Sequence, residues 1–227
     1  MAFVSPSPRR LGLPGVLGLL AALAACAGRA PVLIPPSCGV EAVEGFGSAS
    51  MRGEDVVVKG KFAFLFRRPG LGRVEAVDPI GRTAFLMIFR EDRAYFVVPG
   101  KKVYAEEVPE VLMKRFLGIS LPPDEALRLL SGTWADGGAG SGWSVEQDER
   151  GRVARGERNG FAFAVLGFFP GAGVPRDIGL SGPGTSGRMK VLKLGFNPPP
   201  REAAFDVSFL RGYVLKTWGE ILELPDR

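Results

Sequence analysis

Histidine is absent from the 227-residue chain. Its absence excludes Ser-His-Asp and Cys-His catalysis and any histidine-ligated metal site. Two cysteines are too few for a four-thiolate zinc site. The apolar stretch Leu11–Ala25 falls short of the roughly 20 residues of a good membrane span, and Pro14 and three glycines interrupt it. No large charge excess of one sign exists: 29 basic against 24 acidic residues leave +5, weak grounds for nucleic-acid binding. What is present is 46% hydrophobic and 23% charged residues, the composition of a folded globular protein. With 32 Gly and 19 Pro, strands and turns are favoured over a helical bundle. No nucleophile is accompanied by a base. The expectation is a protein without catalytic residues, metal or cofactor.

The N-terminus carries Arg9 and Arg10 ahead of the apolar stretch, the order of a secretory signal peptide over residues 1–25. The alternative is a membrane-anchor helix, which the length disfavours. The stretch closes on Leu23-Ala24-Ala25-Cys26. This resembles a bacterial lipobox, which implies cleavage before Cys26 and a covalent lipid on its thiol. The alternative, a core cysteine behind two alanines, leaves its place just past the apolar run unexplained. Ala27, where an Asp signals inner-membrane retention in enterobacterial lipoproteins, implies delivery to the outer membrane. Removing Arg9 and Arg10 takes the charge from +5 to +3. Cys38 is then the remaining thiol, with no intramolecular partner for a disulfide. Residues 26–39 read as lipidated end and tether, and 40–227 as a single domain.

That domain reads as strand after strand: 41–50, 55–67, 73–78, 83–90, 93–98 and 102–105. Turn signals such as Asp78-Pro79-Ile80-Gly81 and Pro99-Gly100 separate them by short connections, as in an antiparallel meander. Two helices follow. The first spans 108–117, with Val108, Leu112, Phe116 and Leu117 at helical spacing, Pro109 at its start and Gly118 at its end. The second spans 123–131, with Ala126, Leu127 and Leu130 on one face and Asp124 and Glu125 in the first turn. Strands resume over 143–148, 152–157, 161–169, 174–180 and 188–196, with Asn159-Gly160 as a hairpin turn. Residues 207–224 read as a loop and then a short strand or helix. No internal repeat is visible.

Phe85, Met87 and Phe89 share one face of the 83–90 strand, while Ala84, Leu86 and Ile88 make the other apolar as well. A sheet with one wet face alternates cleanly. Either both sides are covered or one faces a cavity, and the pattern alone favours a core packed on both faces.

A strand, the Asp78–Thr83 turn, a second strand, and a helix pair broken at Gly118-Ile119-Ser120-Leu121-Pro122 and closed by Leu130-Ser131-Gly132 together resemble LolB-type outer-membrane lipoproteins and the wider LolA/LolB-like group. The likeness is clearest over 74–134, and the order of elements extends it along the domain. The Gly-rich 137–142 segment and the Pro-rich late segment have no counterpart in that pattern. The resemblance implies a mainly β (α+β) fold: an open curved antiparallel sheet, an unclosed barrel, with a short helical lid over an apolar cavity for acyl chains. Its lining would come from Phe62, Phe64, Phe66, Phe85, Met87, Phe89 and Phe96 on strands and Leu112, Phe116, Leu127 and Leu130 on helices. It implies a non-enzymatic lipoprotein anchored in the outer membrane and facing the periplasm. Such a protein receives acylated proteins or lipids from a LolA-like periplasmic carrier and inserts them into the membrane, chaperone-fashion, as a monomer with no nucleic-acid partner. The alternative is a tethered envelope scaffold or assembly subunit of the same fold. In the LolB-type turn, here Pro79, Ile80 and Gly81, an exposed apolar residue is implicated in the hand-over to membrane. Ile80 otherwise folds back onto the sheet or is a harmless exposed aliphatic residue.

Gly182-Pro183-Gly184-Thr185-Ser186-Gly187 matches Gly-x-Gly-x-x-Gly, but a strand-like segment follows where a dinucleotide site needs a helix, so it reads as a glycine-rich turn. Arg67-Arg68 and Lys101-Lys102 read as solvated turn charges. Glu106, Glu107 and Glu110 read as the acidic first turn of a helix.

Overall fold

Twelve strands form one sheet in the order β12-β6-β5-β4-β3-β2-β1-β11-β10-β9-β8-β7. They are β1 (Ala42–Arg52), β2 (Val57–Arg67), β3 (Leu71–Val77), β4 (Thr83–Arg90), β5 (Arg93–Val98), β6 (Val103–Glu107), β7 (Ser144–Gln147), β8 (Val153–Arg158), β9 (Phe161–Phe168), β10 (Pro175–Gly182), β11 (Thr185–Phe196) and β12 (Val214–Leu215). Among the described residues the α-helices are α1 (Pro109–Leu117), α2 (Pro123–Ser131) and α3 (Trp218–Leu222). This computed structural model describes residues 33, 39–52, 57–78, 80–118, 120–134 and 142–224. The expected signal peptide over 1–25, the expected lipidation site Cys26, Cys38, most of the expected tether and Pro79 lie outside the described residues. Residues Val32–Arg227 form one compact unit, and every strand pair lies within it.

All pairings are antiparallel except β12 with β6, which is parallel. Two meanders, β1–β6 and β7–β11, join where β1 pairs with β11, Val43 opposite Phe196. The sheet is curved and does not close into a barrel. The chain leaves the first meander at β6, near one edge, and resumes at β7, the other edge. Residues 108–143 must therefore cross a face of the sheet, and α1 and α2 are that crossing. Helix α2, nine residues and about 13 Å long, contacts β1, β2, β3 and β10. Those strands span about 19 Å if flat, so the sheet curls around the helix.

Both crossing helices begin at proline and end at glycines in the left-handed region, Gly118 at φ +69° and Gly132 at φ +70°. A Cβ on Gly132 would also meet the Gly173 carbonyl at 2.7 Å, so the glycine that ends the helix lets it approach β10. Among the described side chains of α1, Pro109, Leu112, Met113 and Phe116 are buried, whereas Val108 precedes the helix and is exposed. Two carboxylates fix α2. Asp124 accepts from Gly70 N at 2.9 Å in the β2–β3 turn. Glu125 takes Arg158 of β8 at 2.8 and 3.0 Å and Trp143 Nε1 at 3.0 Å. The Arg158 guanidinium lies over the Trp143 ring at 4.5 Å.

Both faces of β4 are covered, each by different elements. Met87 and Phe89 pack into the main core beneath the helices. Leu86 and Ile88 lie on the outer face, where Val97, Leu210 and the half-buried Tyr95, Tyr104 and Tyr213 surround them. The C-terminal segment therefore accounts for the second apolar face, not a cavity. After a 3-10 turn at Ser208–Gly212 that segment pairs along β6 as β12. It continues into α3, whose Trp218 contacts Phe96 at 5.1 Å and Phe116 at 5.5 Å in the main core.

Three charge assignments differ from the sequence reading. Glu106 and Glu107 end β6 rather than opening α1, and pair with Arg93 at 2.8 Å and Arg115 at 3.8 Å. Arg67 pairs with Glu202 at 2.7 Å and lies over Phe205, and Lys101 Nζ donates to the Leu224 carbonyl at 3.2 Å. The glycine-rich run belongs mostly to the paired strands β10 and β11.

On the inner face, phenylalanines stand directly opposite glycines: Phe64 by Gly45, Phe62 by Gly47, Phe66 by Gly72 and Phe163 by Gly156. A Cβ on Gly45 would strike the Phe64 ring at 2.5 Å and the Lys193 carbonyl. At Gly195, of the adjacent strand β11, a Cβ meets nothing nearer than 3.7 Å. Gly45→Ala is expected to cost about 1–3 kcal/mol through overpacking, and Gly195→Ala less than about 0.5 kcal/mol. Urea midpoints of the two variants, at unchanged slope, test this.

Candidate functional site

A pocket of about 430 Å³ lies between the inner face of the sheet and the two crossing helices. Strands β1 to β4 supply one wall, with Leu180 of β10 and Met189 of β11 at its side. Met113, Phe116, Leu121, Ala126, Leu129 and Leu130 supply the other. Among the described residues, Lys59, Lys61 and Asp78 are the charged ones on its lining.

Of the side chains expected to line a cavity, Phe62, Phe64, Phe66, Phe85, Met87, Phe116 and Leu130 border this pocket. Phe89, Phe96, Leu112 and Leu127 do not. Leu112 and Leu127 are fully buried in the main core, as is Phe89. Phe96 is held in an aromatic cluster with Phe85 at 5.3 Å, Phe116 at 5.0 Å and Trp218 at 5.1 Å. A period-two pattern sorts residues by face, but it does not separate side chains that border a space from those packed beneath it.

Of the methionines, the sequence pointed to Met87 alone as lining a cavity. The chain has five, and Met51, Met87, Met113 and Met189, all but Met1, border the pocket. They come from two adjoining strands, a third strand and a helix, so only the fold brings them together. Methionine is unbranched, polarisable and able to repack, which suits a wall that meets an apolar chain of variable shape.

Asp78 joins the pocket to the turn that carries Ile80. Its Oδ1 accepts from Ile80 N at 3.0 Å and Arg82 N at 2.8 Å, and its Oδ2 accepts from Arg82 Nε at 3.0 Å. The Arg82 backbone N–H, then its guanidinium and the Ile80 N–H, hold the Asp78 carboxyl below its ordinary range. Gly81 N donates to Asp78 O at 2.9 Å with Gly81 at φ +84°. Ile80 projects from this frame with 73% of its surface exposed and does not fold back onto the sheet.

The same turn occurs a second time. In Asp148-Glu149-Arg150-Gly151-Arg152, Asp148 Oδ1 accepts from Arg150 N and Arg152 N, each at 3.0 Å, and Oδ2 accepts from Arg152 Nε at 2.8 Å. Gly151 N donates to Asp148 O at 2.8 Å, and Gly151 sits at φ +72°. The residue at the Ile80 position is Arg150, which is exposed. The turn therefore makes no demand for an aliphatic side chain there. Its Asp, Gly and Arg hold the backbone, and the third position is free to meet other needs.

Two outcomes follow from the paired turns. Ile80→Arg should leave the urea midpoint of residues 32–227 unchanged to within about 0.5 kcal/mol. For Asp148, hydrogen bonds from the Arg152 side chain and backbone lower the carboxyl pKa from 3.8 to about 2. A depressed carboxyl stabilises the fold above its unfolded value and loses that contribution as pH falls through the folded one. The stability deficit of Asp148→Asn should be complete at neutral pH and close as the pH falls from 3.8 to about 2, which denaturation across that range measures.

No protein-family model matches the chain, and no curated protein matches it in sequence. Solved structures do match. A DUF1329 family protein from Desulfovibrio piger aligns at TM-score 0.51 and 9% identity, over 75% of this chain and 92% of that one. A domain named for outer membrane lipoprotein sorting, from Vibrio parahaemolyticus, aligns at TM-score 0.52 and 11% identity, over 76% and 92%. A LolA superfamily protein from Nitrosomonas europaea aligns at TM-score 0.47 and 9% identity, over 76% and 93%. At these identities the likeness is one of fold, and it is the LolA/LolB-like fold implied by the turn and helix motifs of the sequence.

Proposed function

We propose that the protein is a non-enzymatic, lipid-anchored component of the outer membrane, facing the periplasm, that accepts acyl chains of lipoproteins or lipids and passes them into the membrane. The observation that carries this reading is an apolar pocket with four methionines on its wall, next to a hydrogen-bonded turn that exposes an isoleucine the turn does not require. At about 430 Å³ the pocket falls within the range of roughly 300–1,000 Å³ of small-molecule sites. Burying a methylene is worth about 0.8 kcal/mol, and a pocket and a bilayer offer nearly the same gain. Exchange between them then depends on bringing the pocket to the bilayer, and a protruding aliphatic side chain does that. Cys26 would carry the anchor, Pro79, Ile80 and Gly81 would form the membrane-insertion turn, and a LolA-like periplasmic protein would be the donor.

The test uses residues 32–227, a fluorescent acyl probe, and liposomes with a donor loaded with a lipoprotein. Val74 borders the pocket opposite Met87, and Val74→Trp should reduce probe affinity about tenfold or more by filling the space. Ile80→Glu should keep probe affinity and lose delivery of cargo to liposomes. Absence of both probe uptake and delivery in the wild type would favour the tethered scaffold.

A further inference from the structure

Several charges on the sheet are matched with a charge of opposite sign: Arg73 with Glu75, Arg93 with Glu106, Arg155 with Glu146. One area of the outer face instead groups cations. Across β2, β1 and β11, Lys61 and Lys190 both stand opposite Ser48, and Lys59 and Arg188 both stand opposite Ser50. Directly paired residues share a face, so four cations surround two serines, with about 10 Å between the outer strands. These six residues, with Ala49 and Gly60, line a shallow basin of about 410 Å³. Arg188 is bound to Asp177 at 2.7 and 2.5 Å, and that carboxylate also lies in the field of Lys190. Lys59 and Lys61 are exposed and make no ion pair among the described residues. Grouping cations around neutral serines costs repulsion unless an anion meets them.

The basin lies at the end of the sheet that carries Ile80. Lys61 pairs with Val77, the residue before Asp78. Val57, two residues before Lys59 and on the same face of β2 by alternation, is 71% exposed. Two aliphatic side chains thus flank a cationic basin. An acidic protein would need the lysines alone, whereas a bilayer uses both, its phosphates meeting ammonium groups and its acyl region accepting aliphatic side chains.

We propose that this end of the sheet docks on an anionic phospholipid surface, with Lys59, Lys61 and Lys190 binding headgroup phosphates while Val57 and Ile80 enter the bilayer. The proposal deepens the delivery reading above and rests on it, and it adds a selection for lipid charge. Co-sedimentation of residues 32–227 with phosphatidylcholine vesicles, with and without phosphatidylglycerol, tests it. Wild-type binding should rise with phosphatidylglycerol and weaken with salt. The triple variant Lys59→Gln, Lys61→Gln, Lys190→Gln should lose about tenfold or more of the affinity for anionic vesicles. It should bind phosphatidylcholine vesicles as the wild type does. Lys102→Gln, Arg150→Gln, Arg211→Gln removes the same charge elsewhere and should stay within about twofold of the wild type. Wild-type binding indifferent to phosphatidylglycerol, or equal losses in the two triple variants, would overturn the proposal. Acyl-probe uptake without vesicles is read separately, so a failure of lipid-charge selection is distinguishable from a failure of the acyl-binding reading.

Discussion

The contact between a phenylalanine ring and the bare backbone of the opposite strand is the constraint on which the interior depends. Curling a sheet crowds the side chains of its inner face. With Gly45, Gly47, Gly72 and Gly156 opposite Phe64, Phe62, Phe66 and Phe163, the rings reach across their neighbours where side chains would otherwise stand. The sheet can then curve around two helices and still leave space between them and its wall. The same rings shield glycines that on their own would weaken their strands.

Topology decides what fills that interior. Because β1 pairs with β11, the link from β6 to β7 has to cross the sheet, and a connection that crosses a curved face becomes its cover. The ends of α1 and α2 meet this demand with proline starts and glycine stops. Asp124 and Glu125 suit a helix N-terminus electrostatically, yet their hydrogen bonds go to the β2–β3 turn and to β8 with Trp143. The polar first turn of α2 is therefore what holds the cover to both halves of the sheet.

Much of this was legible in the sequence because strands and short helices declare themselves locally. Alternation identified most strands to within a few residues, and Asn159 and Gly160 adopt the positive φ values of a tight hairpin. Both helices stop at the expected glycines. What was not legible depended on distance along the chain. Leu86 and Ile88 gave no hint that residues more than a hundred positions later would cover them. Periodicity placed Phe89 and Phe96 on the inner face but could not show that neither borders the pocket. Met51, Met113 and Met189 carry no pattern until the fold places them beside Met87. Two local signals were there to be read: Thr217-Trp218-Gly219-Glu220 has the spacing of the capping box that starts α3, and Asp-x-x-Gly-Arg occurs twice.

The C-terminal segment holds the sheet from both sides: Leu210 on the outer face, β12 along the edge of β6, Trp218 against Phe96 within. Its placement sets an order of events in time. As the chain is made from its N-terminus, β4 and β5 can pair early, but their apolar outer surface stays wet until residue 210 has arrived. The β1–β11 seam also waits, since its partners are separated by most of the domain. A stretch synthesised more than a hundred residues after β4 and β5 is thus the one that makes the first meander dry, and loss of Trp218 would open its aromatic cluster. A chain stopped short of Trp218 is left with unburied surface that quality control can recognise.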